Sequence, residues 1–268
     1  MDVEKVSGTN YGFLWSGLST TFFFTSNLLL RRVVPACAKK TKSQEWKWRN
    51  TATSLIHSII TGSWSCICFW QTPVMREDLI SKYSTSSHVL CSITTGYFVY
   101  DFIDMALNHR KRSSYELMLH HLIVITCFGL CINTRYYLGY GLVALLVEVN
   151  SVFLHTRQLM LVQGIPAKDH FLYHINTLLY LVTFVVFRIL TLGWMTQWLL
   201  FNREELTTET FSLGIIALAI IIPMSAVLLL RVIIKDYVAR PRVRCGDINQ
   251  LLSEETTEYC DSLANKTD

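Results

Sequence analysis

The sequence predicts an all-α, polytopic membrane protein with about seven transmembrane helices, and three observations carry that expectation. Hydrophobic residues make up 51% of the 268 positions against 16% charged, with a mean hydropathy of +0.33. Seven apolar blocks approach or exceed the roughly 20 residues that cross about 30 Å of hydrocarbon. Lys and Arg are distributed one-sidedly among the segments joining those blocks, as they are in cytoplasmic loops.

The first block, 11–30, follows an acidic start (Asp2, Glu4) and ends at Arg31-Arg32. A cleaved leader is the competing reading, because Ala36-Cys37-Ala38 has the small-x-small form of a cleavage site. The acidic start, and the arginine pair between the apolar run and that site, weigh against it. The loop 39–49 carries Trp46 and Trp48 among five Lys/Arg residues, which suits a topology anchor resting on anionic headgroups. Blocks 51–70, 86–107, 116–133, 136–161, 171–200 and 211–234 follow, the fifth and sixth long enough to be tilted or broken. The chain thus divides into 1–45 (first span and basic loop), 46–235 (the main membrane domain) and a polar tail, 236–268, expected to be disordered.

Orientation follows from charge. Of the 24 Lys and Arg residues, eighteen fall on one side of this arrangement and five on the other, with Arg188 inside a span. The N-terminus is therefore expected outside and the C-terminus in the cytosol. The eight cysteines form no metal-ligand pattern: Cys66, Cys68, Cys91, Cys127 and Cys131 lie in spans, and Cys37, Cys245 and Cys260 on the basic side. Cys37 and Cys245 are placed for palmitoylation. With no Gly-rich phosphate loop, nucleophile elbow or internal repeat, neither a metal, a cofactor nor a nucleic-acid partner is expected. A pore is poorly supported, since no charged ring or filter loop recurs.

Ionisable residues inside these blocks are functional candidates by default, because each costs free energy in hydrocarbon. His57, Asp101, His121 and His155 each lie five or six residues from the basic end of a span, a depth of about 8–9 Å. Asp104 and His120 are close to the same layer. Polar groups from separate helices at one depth are expected around a cavity opening toward the cytosolic leaflet. Adjacent residues on a helix differ by about 100°, so His120 and His121 cannot address one atom. One is expected to enter the cavity while the other orients it or meets Asp101 or Asp104, an arrangement suited to general acid–base chemistry. His120, His121 and Asp101 are the catalytic candidates. Glu148, Ser151 and His155 share one stripe, and a structural clamp of Glu148 and Ser151 with Arg188 is expected to neutralise the intramembrane carboxylate.

Several stretches carry a resemblance: Trp48-Arg49-Asn50 leading to Leu55-Ile56-His57-Ser58, Gly96-Tyr97-Phe98-Val99-Tyr100-Asp101, Glu116 with His120-His121, and Leu145-Leu146-Val147-Glu148-Val149-Asn150-Ser151 running to Arg157. In this order and spacing the chain resembles the TRAM/Lag1/CLN8-homology (TLC) domain family over residues 46–235. Cys68-Phe69-Trp70-Gln71-Thr72-Pro73 and Phe187-Arg188-Ile189-Leu190-Thr191-Leu192-Gly193-Trp194-Met195 resemble the branch of TLC domain-containing proteins 1 and 2. The resemblance implies seven spans, six of them forming a barrel around a lipid cavity.

For ceramide synthases in the family, the resemblance implies a histidine pair supporting acyl transfer from acyl-CoA to a sphingoid base. His120 and His121 occupy that pair, but Glu148 and Ser151 stand near the positions of the synthases' downstream aspartates. The branch resemblance implies instead a plasma-membrane regulator of phospholipid acyl composition and fluidity, limiting incorporation of polyunsaturated chains. The expected partners are phospholipid or fatty-acyl lipid and the membrane itself, with self-association open. Acyl-CoA enters as a co-substrate only under the acyltransferase alternative, and the endoplasmic reticulum is the alternative compartment.

Overall fold

The computed structural model describes residues 11–108, 112–165, 171–234 and 236, with the side chains of 112–114 excepted. No strand occurs among the described residues. The helices are α1 (Gly12–Leu30), α2 (Lys42–Gln71), α3 (Thr85–Asn108), α4 (Arg112–Thr134), α5 (Leu138–Leu145), α6 (Val147–Val162), α7 (Phe171–Phe184), α8 (Thr191–Phe201) and α9 (Thr208–Ile233). The chain divides into two compact units, Met1–Ser225 and Ala226–Asp268. The second is described only over 226–234 and 236 and is α-helical to Ile233. Apart from Asp236, the expected disordered tail, and with it Cys245 and Cys260, lies outside the described residues.

Helical rods occupy all seven expected blocks. Among the described residues five are long and apolar enough to cross a membrane by length and composition: Lys42–Gln71, Tyr115–Thr134, Leu138–Val162, Phe171–Phe201 and Thr208–Ile233. The first and third blocks, α1 and α3, are not among them. α3 carries His88, Asp101 and Asp104, and α1 is a 19-residue helix with Ser16, Ser19, Thr20 and Asn27 among its residues. Those polar residues are used between helices. Ser16 Oγ donates to the Ser92 carbonyl (3.0 Å), Ser19 Oγ to Ile93 (2.7 Å) and Thr20 Oγ1 to Gly96 (2.8 Å). A Cβ on Gly96 would lie 2.2 Å from the Ser16 carbonyl oxygen, so only glycine permits this approach.

The interior combines an apolar core with many buried polar residues, and the outer surface carries many large apolar side chains. Thr53, Ser58, Thr61, Ser65, Ser87, Ser92, Thr94 and Asn150 are fully buried, while Phe13, Phe22 and Phe24 of α1, Leu178 and Val182 of α7 and Ile216 of α9 are exposed. Several inward hydroxyls are satisfied within their own helix, as in Thr53 to the Arg49 carbonyl (2.9 Å) and Thr61 to His57 (2.8 Å). A bilayer solvates the outward apolar faces, and small polar residues allow helices to approach closely.

Two long rods are broken, as their length suggested. α5 and α6 are separated at Leu146, where Leu146 N–H donates to Val143 (3.1 Å) and Val149 N–H to Leu146 (3.1 Å), a tightened turn. α7 and α8 are joined by a π-helical turn, Val185–Leu190. Thr41 caps α2 by accepting from Gln44 N–H (3.1 Å). The loop tryptophans depart from expectation. Trp46 and Trp48 are each 8% exposed; Trp46 Nε1 donates to Asp104 (2.9 Å), and Trp48 packs with Val34, Ala38 and Ala52. The correction has a local cause. α2 starts at Lys42, so both rings project from a helix into the bundle rather than from a loop onto headgroups.

Candidate functional site: an apolar cavity with a polar floor

A cavity lies among α3, α4, α5, α6, α8 and α9. Its volume is about 150 Å³, and all free space within it, open solvent at its mouth included, is about 930 Å³. Phe98, Ile123, Val124, Phe128, Leu192, Met195 and Leu218 contribute apolar wall, while His120, Glu148 and Arg188 are its ionisable lining among the carboxyl, imidazole and guanidinium groups. His120 and Cys131 both line it on α4, giving it a length of about 16 Å at 1.5 Å per residue. The lining runs from His120 toward the turn between α4 and α5, and from Arg188 toward the turn between α8 and α9. The cavity body thus extends away from the basic loops, in the half opposite to that expected from the polar layer. The physical reason is packing: the basic half is filled by buried polar contacts, and the free volume lies above them.

His120 and His121 divide as adjacent helical residues must. His120 lines the cavity and is partly exposed, whereas His121 is 3% exposed. His121 Nε2 lies 2.7 Å from Asp101 Oδ2 and Nδ1 lies 2.6 Å from the Leu117 carbonyl oxygen. A carbonyl only accepts, so Nδ1 carries hydrogen and a second proton occupies the Nε2–Oδ2 line, on the ring or on the carboxyl. Asp101 Oδ1 accepts from Asn50 Nδ2 at 2.5 Å, and the same amide reaches Asp104 Oδ2 at 3.2 Å. Asp104 also accepts from Trp46 and from Asn108 Nδ2 (3.0 Å). Asp101, Asp104 and His121 therefore form a packed network at the basic end of α3, and none of the three lines the cavity.

His57 is corrected in the same way. Its ring stacks on Tyr97 with centroids 3.7 Å apart, and Nδ1 lies 3.9 Å from Glu148 Oε2. His57 Nε2 and His155 Nδ1 are buried without a hydrogen-bond partner among the described residues, and neither residue lines the cavity. The single polar layer read from depth therefore separates into packed contacts and one cavity-facing histidine. Depth along a helix fixes the level of a side chain, not its azimuth.

The expected Glu148–Ser151–Arg188 clamp forms with different partners. Arg188 Nε donates to Asn150 Oδ1 (2.8 Å), Nη2 to Ser151 Oγ (3.0 Å) and Nη1 to Ser225 Oγ (3.4 Å). No carboxylate lies within 4.0 Å of Arg188 among the described residues. Glu148 accepts instead from Ser58 Oγ (2.6 Å), where α2 and α6 meet so closely that a Cβ on Gly62 would be 3.1 Å from Val149 N. Asn150 also donates to the Tyr180 carbonyl and Thr183 Oγ1, both at 3.0 Å. Asn50, Ser58, Asn150 and Ser225 are not reached by sequence reasoning that starts from the ionisable groups and adds only Ser151 as a neutral partner. Asn50 and Asn150 were nonetheless present in the motifs that carried the resemblance.

Comparisons with known proteins agree with this architecture. The family model described as the TLC domain matches residues 47–234. TLC domain-containing protein 2 of Danio rerio is 45% identical over 230 residues, 85% of this chain and 92% of that protein. TLC domain-containing protein 1 of Homo sapiens is 33% identical over 200 residues, 75% of this chain and 80% of that protein. TLC domain-containing protein 2 of Homo sapiens is 30% identical over 226 residues, 84% of each chain. No solved structure matches this chain.

Proposed function

Because this chain belongs to the TLC domain family, we propose that it handles lipid within the membrane and thereby regulates the acyl composition and fluidity of membrane phospholipids. In this reading it limits incorporation of polyunsaturated chains, acting at the plasma membrane. The observation that carries the proposal is the elongated apolar cavity closed at one end by His120, Glu148 and Arg188. Such a volume suits an acyl chain, since apolar walls replace the chain's lipid surroundings and a few polar groups fix its head. The test is lipidomics of cells lacking the protein, with rescue by wild type, His120→Ala and His121→Ala. Unchanged acyl profiles of phosphatidylethanolamine and phosphatidylcholine on loss of the protein would sink the reading.

A second reading, acyl transfer from acyl-CoA to an amine, is favoured by one arrangement. His120 faces the cavity while Asp101 holds the neighbouring His121 at 2.7 Å. In that chemistry His120 accepts the proton of an attacking amine, the amide bond forms as the thioester C–S bond breaks, and the proton leaves with the coenzyme A thiol. Purified protein incubated with labelled acyl-CoA and sphingoid or phosphatidylethanolamine acceptors yields labelled amide under this reading. Absence of both amide and acyl-enzyme counts against it.

A further inference from the structure

The Arg188 guanidinium stands at the inner end of the cavity with its hydrogen bonds unevenly assigned. Three of its N–H groups go to neutral acceptors, Asn150, Ser151 and Ser225. A guanidinium has five donors, so one N–H remains on each terminal nitrogen. That is the number a carboxylate engages in a bidentate pair. Glu148 lines the same cavity but is held by Ser58, and no carboxylate approaches Arg188 within 4.0 Å among the described residues. A cation at membrane depth, oriented by amide and hydroxyl oxygens and with no carboxylate in contact, is a site prepared for an anion.

We propose that Arg188 is the anion seat of the cavity and that its ligand is a single-chain amphiphile with a carboxylate head, a non-esterified fatty acid. The chain runs from Arg188 between Ile123, Val124, Phe128, Leu192, Met195 and Leu218, toward the turn between α4 and α5. A cavity volume of about 150 Å³ drawn out over about 16 Å suits part of a single chain. Asn150 and Ser151 position the guanidinium, and Glu148 sets the local charge against which the anion binds. This proposal rests on the lipid-handling reading of the same cavity and adds the class of head group to it.

The full-length protein in nanodiscs is titrated with a long-chain fatty acid, its methyl ester and the alkyl phosphate of the same chain. The acid is expected to bind about 10- to 100-fold more tightly than the ester, the range of a charge-assisted hydrogen-bonded pair. Arg188→Gln is expected to remove that difference by weakening acid binding to the level of the ester, and Glu148→Gln, which removes an opposing charge, to tighten acid binding. Equal binding of acid and ester by the wild-type protein would overturn the anion seat while leaving the lipid-handling reading intact. Binding of neither would sink both. Preference for the phosphate over the acid would overturn the carboxylate head, and loss of acid binding in Glu148→Gln would overturn the role of Arg188. The comparison of acid with ester needs no variant, so it holds even where Arg188→Gln fails to fold.

Discussion

At residue scale the two adjacent histidines have separate work. His121 is locked between the Leu117 carbonyl and Asp101, whereas His120 faces free volume. Asp101→Asn and His121→Ala are each expected to lower stability by about 1.5–3 kcal/mol, the scale of a buried hydrogen bond to a charged group. His120→Ala should cost less than about 1 kcal/mol. Thermal unfolding in detergent checks this, and equal losses at the two histidines would contradict the division. Outside the spans, the Asp78 carboxylate accepts from Ile80 N–H (3.0 Å), Ser81 N–H (2.8 Å) and the Ser81 hydroxyl. Partial burial alone would raise its pKa, but the Ser81 and Ile80 hydrogen bonds and the nearby Lys82 charge together hold it below 3.8. A lowered folded pKa means stabilisation that is complete above 3.8 and lost as pH falls through the folded value. The protection of the Ile80 and Ser81 amides, their exchange rate relative to the intrinsic rate at each pH, should fall on acidification in the wild type. Asp78→Asn should remove that response.

At the scale of elements, α1 is bound to α3 by hydroxyl-to-carbonyl bonds over a contact that admits no side chain at Gly96. Arg49 Nη1 adds a 2.6 Å bond from α2 to Asn27 of α1. Gly96→Leu is expected to displace α1 and to destabilise the protein by at least about 1–3 kcal/mol, the range for overpacking. Failure of an engineered Ser19–Ile93 cysteine pair to crosslink in that variant would report the displacement, and an unchanged melting temperature would refute it. The helix irregularities also cluster around the cavity floor. The break at Leu146 lies two residues before Glu148, the π-turn contains Arg188, and Pro223 precedes Ser225 by two residues. A π-turn inserts an extra residue and resets the azimuth of the side chains beyond it, a device common at functional sites.

For the whole molecule, the outward apolar faces make the bilayer the solvent of the Met1–Ser225 unit. Charge asymmetry predicts which end faces the cytosol. An impermeant thiol reagent applied to intact cells should label Glu204→Cys, in the turn between α8 and α9, and not Lys40→Cys, in the basic loop. The reverse pattern would invert the topology and place the cavity in the cytosolic half.

Much of this was legible from residue order alone. Apolar block length set the helical class and the positions of the rods, because a span must satisfy its own backbone within hydrocarbon. The motifs around Asp101, His120-His121 and Glu148 carried the resemblance to the family to which the chain belongs. Spacing along a helix could not assign partners, however. Asn150 rather than Glu148 holds Arg188, and Asn50 ties Asp101 to Asp104, because partners are chosen by azimuth and interhelical distance. The depth coincidence of His57, Asp101, His121 and His155 likewise did not make them neighbours of one cavity. Length and hydropathy determined that this chain is a bundle of membrane helices with costly polar groups inside. Only the packing of those helices decided which groups satisfy one another and which face open space, since that depends on rotations of a few tens of degrees that no one-dimensional pattern records.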